Sequence, residues 1–431
     1  MSKPTVMMTV RGGRPLRGTV NVPGDKSISH RALILGVLAR GENRVRGWLA
    51  AGDTLATLGA VRALGMDVRQ DGPDLTFTGG TLRPPGQPID CANAGTAMRL
   101  LAGLLVGQSF KSVLDGSDQL RRRPMRRITE PLRAMGAAIT DVDGHAPLTI
   151  QPAALSGRHY EMPVASAQVK SALLLAGLQA DGTTTVLEPH PSRDHTERML
   201  AAMGAPVAVD GRAVHVCRLD DALAPLDITI PGDLSSAAFL AVAAALSPGS
   251  EVRITGVGLN PTRTGLLDVL CQMGADITIE DQAEQGGEPT GTLCIRGGEL
   301  QAVHIAGDVV VRAIDELPVL AVAATQAHGE TVIADASELR VKEVDRIALL
   351  VQELRRLGAK VEEMPDGMVI SGPVQLRGAE VTSHGDHRLG MALAVAGLMA
   401  RGETRISDAT CIGDSFPGFA GMLAKLGAEI A

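Results

Sequence analysis

The chain has 431 residues, 45% of them apolar and 21% charged, with a formal net charge of −7. That length is too great for one ordinary core and predicts two or three domains of a globular protein. Aromatic residues make up 2% of the chain; stacking platforms are scarce and the charge is acidic, so nucleic acid is not an expected partner.

Cys91, Cys217, Cys271, Cys294 and Cys411 are far apart and form no C-x-x-C pair, which suits a reducing compartment and gives no zinc signature. The opening stretch MSKPTVMMTVRGG lacks the apolar core of a signal peptide. No run approaches the roughly 18–20 apolar residues of a membrane span. A cytoplasmic location without a membrane partner is expected.

The first helix is predicted within Val22–Ala39, VPGDKSISHRALILGVLA. Pro-Gly-Asp reads as a turn and cap, and Lys-Ser and His-Arg lead directly into an uncharged run. A turn and a β-branched run follow. An amphipathic helix then ends in VRALGMDV, with Gly65 at the expected left-handed stop. Five further units have the same order. Their apolar helices lie in RLLAGLLVGQSFKSVLDG, SALLLAGLQADGTTTVLE, AAFLAVAAALSPGSEVRITG, VLAVAATQAHGETVIAD and MALAVAGLMARGETRISD, and their stops are Gly136, Gly204, Gly274, Gly358 and Gly427. The stops are 71, 68, 70, 84 and 69 residues apart, which is too long for a solenoid repeat and suits small α/β subdomains. VNVPGDKS (Val20–Ser27) returns as ITIPGDLS (Ile228–Ser235). Two similar α/β lobes of three units each are therefore predicted, joined by a two-stranded hinge. One takes residues 1–22 and 233–431, the other 23–232.

The duplication separates fold from function. Pro-Gly-Asp and the following Ser occur in both halves, so their work is structural. Lys26, His30 and Arg31 correspond to Leu234, Ala238 and Phe239; folding of the unit does not need those charges. Lys26 and Arg31 read as ligand-binding residues, while His30 stays open between core and site. Ser166-Ala167-Gln168 align with Asp386-His387-Arg388, and two further apolar helices open with Asn93-Ala94-Gly95-Thr96 and Asp315-Glu316. All six thus begin in polar or charged residues. A helix N-terminus carries unpaired N–H groups and about half a positive charge. Converging N-termini would line a cleft for multiply anionic ligands. In DGSDQLRRRPMRRI, Arg123, fixed by Pro124, is expected to turn inward, and most of Arg121, Arg122, Arg126 and Arg127 to be solvated. LRVKEVDRI adds Lys342, Glu343 and Arg346, with Lys342 and Arg346 on one face if the segment is helical; the competing reading is a surface ion pair. P-loop and dinucleotide fingerprints are missing, and no His/Cys/carboxylate set has ligand spacing. No cofactor and no metal are expected.

Seven motifs in order, GDKSISHRA, NAGTAMR, RRRPM, SAQVKSA, DELP, LRVKEVDR and GDHR, resemble the 5-enolpyruvylshikimate-3-phosphate synthases among the enolpyruvyl transferases. The likeness runs from about Thr9 to the C-terminus. It implies two lobes, each of three βαβαββ units (an inside-out α/β barrel). It implies transfer of the carboxyvinyl group of phosphoenolpyruvate to the 5-hydroxyl of shikimate-3-phosphate with release of phosphate, in the shikimate pathway of aromatic amino acid biosynthesis. By the same resemblance Lys26, Ser27, Arg31, Ser166, Ala167, Gln168, Asp315 and Lys342 would hold shikimate-3-phosphate. Lys26, Gly95, Arg123, Gln168, Arg346 and Arg388 would hold phosphoenolpyruvate. The chemistry needs a base for the hydroxyl and an acid for the methylene carbon. Asp315 is expected to be the base and Glu343 the acid, with Lys26 an electrostatic partner. A monomer is expected.

Some positions depart from the family pattern. Ala167 stands where many members have Ser, Asp414 where many have Lys, and Leu100 where many have Pro. Gly95 is the small residue that leaves room for glyphosate in sensitive members, so competition with phosphoenolpyruvate is expected. The nearest alternative is the sister transferase acting on UDP-N-acetylglucosamine, which usually presents a Cys in the arm that here reads DGSDQLRRRPMRR. A non-catalytic anion-binding scaffold would leave Asp315 and Glu343 unexplained.

Overall fold

The computed structural model describes residues 7–431. Residues 1–6, which open the stretch read above for a signal peptide and the first lobe, lie outside the described residues.

Six apolar helices, Lys26–Gly36, Gly95–Leu105, Ala167–Gly177, Leu234–Leu246, Leu317–Gln326 and His387–Met399, are buried along nearly their whole length. A helix that is apolar on every face has no solvent side, and this governs how it can begin. Four start on a side-chain cap: Asp25 accepts from the N–H of Ile28, Ser166 from Val169, Asp233 from Ser235, and Asp386 from Arg388 and Leu389. The helix beginning at Gly95 differs from the expectation of a polar start. Ala94 occupies its cap position and offers no acceptor. The helix beginning at Leu317 has no side-chain cap either, and Pro318 in its first turn carries no N–H to satisfy.

The amphipathic helices Gly52–Ala63, Arg126–Ala134, His195–Ala202, Gly265–Gln272, Arg346–Arg356 and Phe419–Lys425 all stop in the same way. The six glycines read as stops have φ between +79° and +102°. Just past them the N–H groups of Met66, Ala137, Ala205, Ala275, Ala359 and Ala428 donate to the carbonyls of Val61, Leu132, Leu200, Leu270, Leu354 and Leu423 at 2.9–3.2 Å. These are six Schellman closures, and each turns the chain into the next strand.

Among the described residues the strands form six four-stranded sheets. In the second unit of the chain, Ile89–Asp90 pairs in parallel with Ser112–Asp115, and His145–Gln151 and Ala138–Val142 continue antiparallel. Two other sheets exchange their first strand. Arg17–Asn21, which precedes the helix at Lys26, pairs in parallel with Glu251–Gly258. Asp227–Thr229, which precedes the helix at Leu234, pairs in parallel with Gly41–Arg46. Met8–Arg11 completes the last sheet between Glu403–Ser407 and Glu429–Ile430. Each unit is thereby βαβαββ. The long interval between Gly274 and Gly358 holds an extended hairpin, Asp276–Gln285 and Glu288–Arg296, and an additional helix, Asp308–Ala313; neither is foreseen in the sequence reading.

The chain divides into two compact bodies. One comprises the chain up to Pro23 with Pro231–Ala283 and Pro289–Ala431, the other Gly24–Ile230 with Glu284–Glu288. Each has its own hydrophobic core. In the first, the helices at Leu234, Leu317 and His387 pack against one another, and Phe239 meets Phe419 edge-on at 6.3 Å. In the second, the core takes in His30, which is fully buried with Nδ1 2.6 Å from Thr57 Oγ1. Burial pushes its imidazole down to about 3. His30 is therefore a neutral core residue.

Two predictions follow from these elements. Gly204 needs a left-handed backbone, whereas Gly59 sits mid-helix with open space around its Cα. Gly204→Ala should destabilise by about 1 kcal/mol and Gly59→Ala should stabilise by about 0.5–1 kcal/mol in urea unfolding; equal effects would contradict the stop geometry. His30 has a folded value of about 3 against 6.5 for a free imidazole. The unfolded chain takes up this proton first, so stability falls as pH drops from about 6.5 toward about 3, by at most ~1.4 kcal/mol per pH unit. His30→Asn should flatten that acid slope by close to one proton, read from unfolding free energies at several pH values. An unchanged slope would show that His30 is protonated in the fold.

Candidate active site

In the second body the first turns of the apolar helices are bonded to one another. Lys26, at the start of its helix, donates from Nζ to Asp53 Oδ2 at 3.0 Å. Asp53 lies in the first turn of the helix Gly52–Ala63 and is not among the residues singled out in the sequence. Arg31 is buried, and its Nε donates to Thr196 Oγ1 at 2.7 Å, Nη2 to Ser171 Oγ at 2.8 Å and Nη1 to the Ser27 carbonyl at 3.0 Å. Ser171 Oγ donates in turn to the Ala167 carbonyl at 2.6 Å. In the 2.6 Å contact of Ser171 and Thr196 the threonine hydroxyl is therefore the donor. Three helices are held in register at their N-terminal turns by one guanidinium.

Gln168 makes the other link. Its Nε2 donates to Thr96 Oγ1 at 2.8 Å, and its Oε1 accepts from Arg99 Nη1 at 2.7 Å. A Cβ at Gly95 would fall 2.6 Å from Arg123 Nη1 and 2.8 Å from Arg99 Nη1. Glycine leaves room at the helix start for two guanidinium groups, which a larger residue would displace. Of the five arginines in the arm, Arg123 is buried, Arg127 is half-buried, and Arg121, Arg122 and Arg126 are exposed; Arg121 is paired with Asp115. Arg193, in the turn before the helix His195–Ala202, brings Nη1 to 3.5 Å from Ser27 Oγ. Arg99 and Arg193 were given no role from sequence. The signal for Arg99 was available: it is the single charge in GTAMRLLAGLL.

In the first body, Arg346 is the centre. It is 2% exposed and reaches three carboxylates: Nε to Asp386 Oδ2 at 2.8 Å, Nη2 to Glu343 Oε2 at 2.6 Å and Nη1 to Asp315 Oδ1 at 3.4 Å. Burial works against its charge, but Asp386, Glu343 and Asp315 outweigh it and raise the guanidinium above its ordinary value. Arg388, also buried, has Nη2 at 3.8 Å from Asp315 Oδ2 and Nη1 at 3.5 Å from Glu316 Oε1. Ser235 donates to Glu316, and Arg263 donates to Ser235 Oγ at 2.6 Å and to Asp233 Oδ1 at 3.1 Å. The first turns of all three apolar helices in this body are thus joined by side chains.

Lys342 and Arg346 do not share a helix face. A 3₁₀ turn, Ser337–Val341, ends at Lys342, and Asp345 caps a new helix by accepting from Ala348 N–H at 3.0 Å. The acidic cap restarts the helix, so spacing four means nothing here. Burial lowers the Lys342 ammonium from its ordinary value, against the opposing pull of Asp315 and Glu338. Asp414 closes the 3₁₀ turn Ala409–Asp414.

Among the described residues, one group brings possible metal-ligand atoms within 4.8 Å of one another: Asp194, His195 and Glu288. The His195 Nδ1, Glu288 Oε1 and Asp194 Oδ2 atoms are engaged with protein partners, whereas His195 Nε2 is buried without a hydrogen bond. Glu288 Oε1 is 2.7 Å from His195 Nδ1, and Arg198 donates to Asp194 Oδ2 at 2.8 Å and to the Gly287 carbonyl at 3.0 Å. The group braces the turn that carries Arg193 through these contacts.

Two clusters of buried cations, each set among helix N-termini and carboxylates, are equipped to hold compact anions and to move protons. The profile of the EPSP synthase family, described as 3-phosphoshikimate 1-carboxyvinyltransferase, matches residues 10–423. The protein of that name from Geobacter metallireducens is 52% identical over 426 residues, 98% of this chain and 99% of its own. That from Geobacter sp. strain M21 is 51% identical over 420 residues, 96% and 98% of the two chains. A solved EPSP synthase from Acinetobacter baumannii superposes with a TM-score of 0.88 at 41% identity, covering 99% of both chains. Family profile, relatives and fold agree with the motif order and the charged helix starts: the chain belongs to the EPSP synthase family.

Proposed function

We infer that the two charge clusters divide the work of one transfer. The reaction is that of the family: the chain moves the enolpyruvyl group of phosphoenolpyruvate to the 5-hydroxyl of shikimate-3-phosphate and releases phosphate, a step of the shikimate pathway. Ser27, Arg31, Ser166, the backbone at Ala167, Gln168 and Lys342 hold shikimate-3-phosphate, and Arg193 joins Ser27 in that task. Lys26, Gly95, Arg123, Gln168, Arg346 and Arg388 receive phosphoenolpyruvate.

The bond changes assign the remaining groups. The 5-oxygen bonds to C2 of phosphoenolpyruvate and gives up its proton while C3 takes one. The C2–O bond to phosphate then breaks, and C3 returns a proton to the Glu343 carboxylate to restore the double bond. Asp315 takes the hydroxyl proton and Glu343 protonates C3, with Lys26 balancing the developing charge. The observation that carries this assignment is that Asp315 and Glu343 each bond a different terminal nitrogen of Arg346. Base and acid are thereby fixed on either side of one cation that also attracts the donor. Asp315 is paired with both Arg346 and Arg388. The anionic groups of phosphoenolpyruvate draw those guanidinium groups to themselves, and Asp315 is released as a base when the donor is present. A cytoplasmic location is supported by five free cysteines.

Asp315→Asn keeps the shape and removes the base. Turnover should fall by about 10²–10⁴-fold with shikimate-3-phosphate affinity little changed; near-normal turnover would refute the assignment. Gly95→Ala would displace the Arg123 guanidinium, which should raise KM for phosphoenolpyruvate roughly ten-fold and weaken glyphosate competition. An unaltered KM would show that Arg123 does not serve the donor.

A further inference from the structure

Behind the shikimate-3-phosphate residues lies a buried ion cluster with no part in the chemistry above. Lys170, on the helix Ala167–Gly177, is 1% exposed, with Glu188 at 3%, Glu197 at 5% and Ser192 at 6%. Lys170 Nζ stands 2.7 Å from Glu188 Oε2 and 2.6 Å from Glu197 Oε1, and 3.4 Å from the Ser192 carbonyl. Ser192 is tied to the cluster a second and third time. Its N–H reaches Glu188 Oε2 at 3.4 Å, and its hydroxyl donates to Glu188 Oε1. All three polar groups of Ser192 thus end on this cluster.

Its neighbours give the cluster a direction. Arg193, next in the chain, brings its guanidinium to Ser27 Oγ. Glu197 follows Thr196, whose hydroxyl accepts from Arg31. Lys170 therefore holds both the turn that presents Arg193 and the helix turn that orients Arg31. Burial alone lowers the Lys170 ammonium, but Glu197 and Glu188 reverse this and hold it above its ordinary value. An ammonium buried between two carboxylates is a poor way to gain stability, since apolar side chains of similar volume serve as well or better. Its three donors at fixed angles do, however, set the geometry of what they hold.

We propose that Lys170, acting through Glu188–Ser192 and Glu197–Thr196, is a positioning residue that fixes Arg193 and Arg31 for the phosphate of shikimate-3-phosphate. The proposal rests on the placement of that substrate given above. The test compares Lys170→Met, Lys170→Arg, Ser192→Ala and Arg193→Ala in the full-length enzyme, with thermal midpoints and separate KM values for both substrates. Misplaced arginines should raise KM for shikimate-3-phosphate roughly ten- to hundred-fold in Lys170→Met and Ser192→Ala. KM for phosphoenolpyruvate at saturating acceptor should stay within about two-fold, and Lys170→Arg should recover part of the loss. A lower thermal midpoint or kcat with the ratio of the two KM values unchanged would make the cluster merely structural and overturn the proposal. If Lys170→Met does not fold, Ser192→Ala, which keeps Lys170, Glu188 and Glu197 and removes one bond to Glu188, decides alone. An Arg193→Ala enzyme with normal KM for shikimate-3-phosphate would place the fault in the substrate reading. A raised KM there with an unaffected Ser192→Ala would place it in the positioning role.

Discussion

A guanidinium or ammonium group taken out of water has to find oxygen partners at once, because the uncompensated charge costs several kcal/mol or more. This protein buries Arg31, Lys170, Arg346 and Arg388, and the first turns of its apolar helices meet around three of them. Asp386 illustrates the economy of the arrangement. One carboxyl caps the helix His387–Met399 with Oδ1 and holds Arg346 with Oδ2. The residue that starts the helix also fixes the cation. Helix ends and buried charges are therefore not separate features of the fold, and the anion-binding character follows from their coincidence.

The duplicated units show what happens when the charge is removed. Asp25 and Asp233 perform the same capping task. One turn later Arg31 bonds to Ser171 and Thr196, whereas Phe239 at the matching position packs in the hydrophobic core against Phe419. The same backbone thus tolerates either an ionic or an aromatic plug. What remains at the helix of Leu234 is Ser235, drawn into bonds with Glu316 and Arg263. In this body the charged work has moved to Arg346 and Arg388.

How much of this was legible from residue order depended on the range of the interactions. The glycine stops and the Asp and Ser caps are local, with partners within five residues, and the repeated text displays them. The exchanged strands could be read from VNVPGDKS and ITIPGDLS because a duplicated segment marks the same place twice. A shared face for Lys342 and Arg346 was conditional on one helix, and the acidic cap at Asp345 breaks that helix. Asp53, Arg99, Arg193 and the cluster of Lys170, Glu188 and Glu197 were missed because their partners lie on other elements. The hairpin Asp276–Arg296 is largely exposed along its first strand, so it carries little of the alternating pattern that announces a strand.

The central claim is that helix starts, with the cations set among them, hold the substrates' anionic groups. A crystal structure with shikimate-3-phosphate bound tests it most directly. The account predicts the phosphate within hydrogen-bonding distance of Ser27, Ser166, the backbone N–H groups beginning the helix Ala167–Gly177, and Arg193. A phosphate bound at exposed lysines or arginines, with those helix starts left to water, would contradict it.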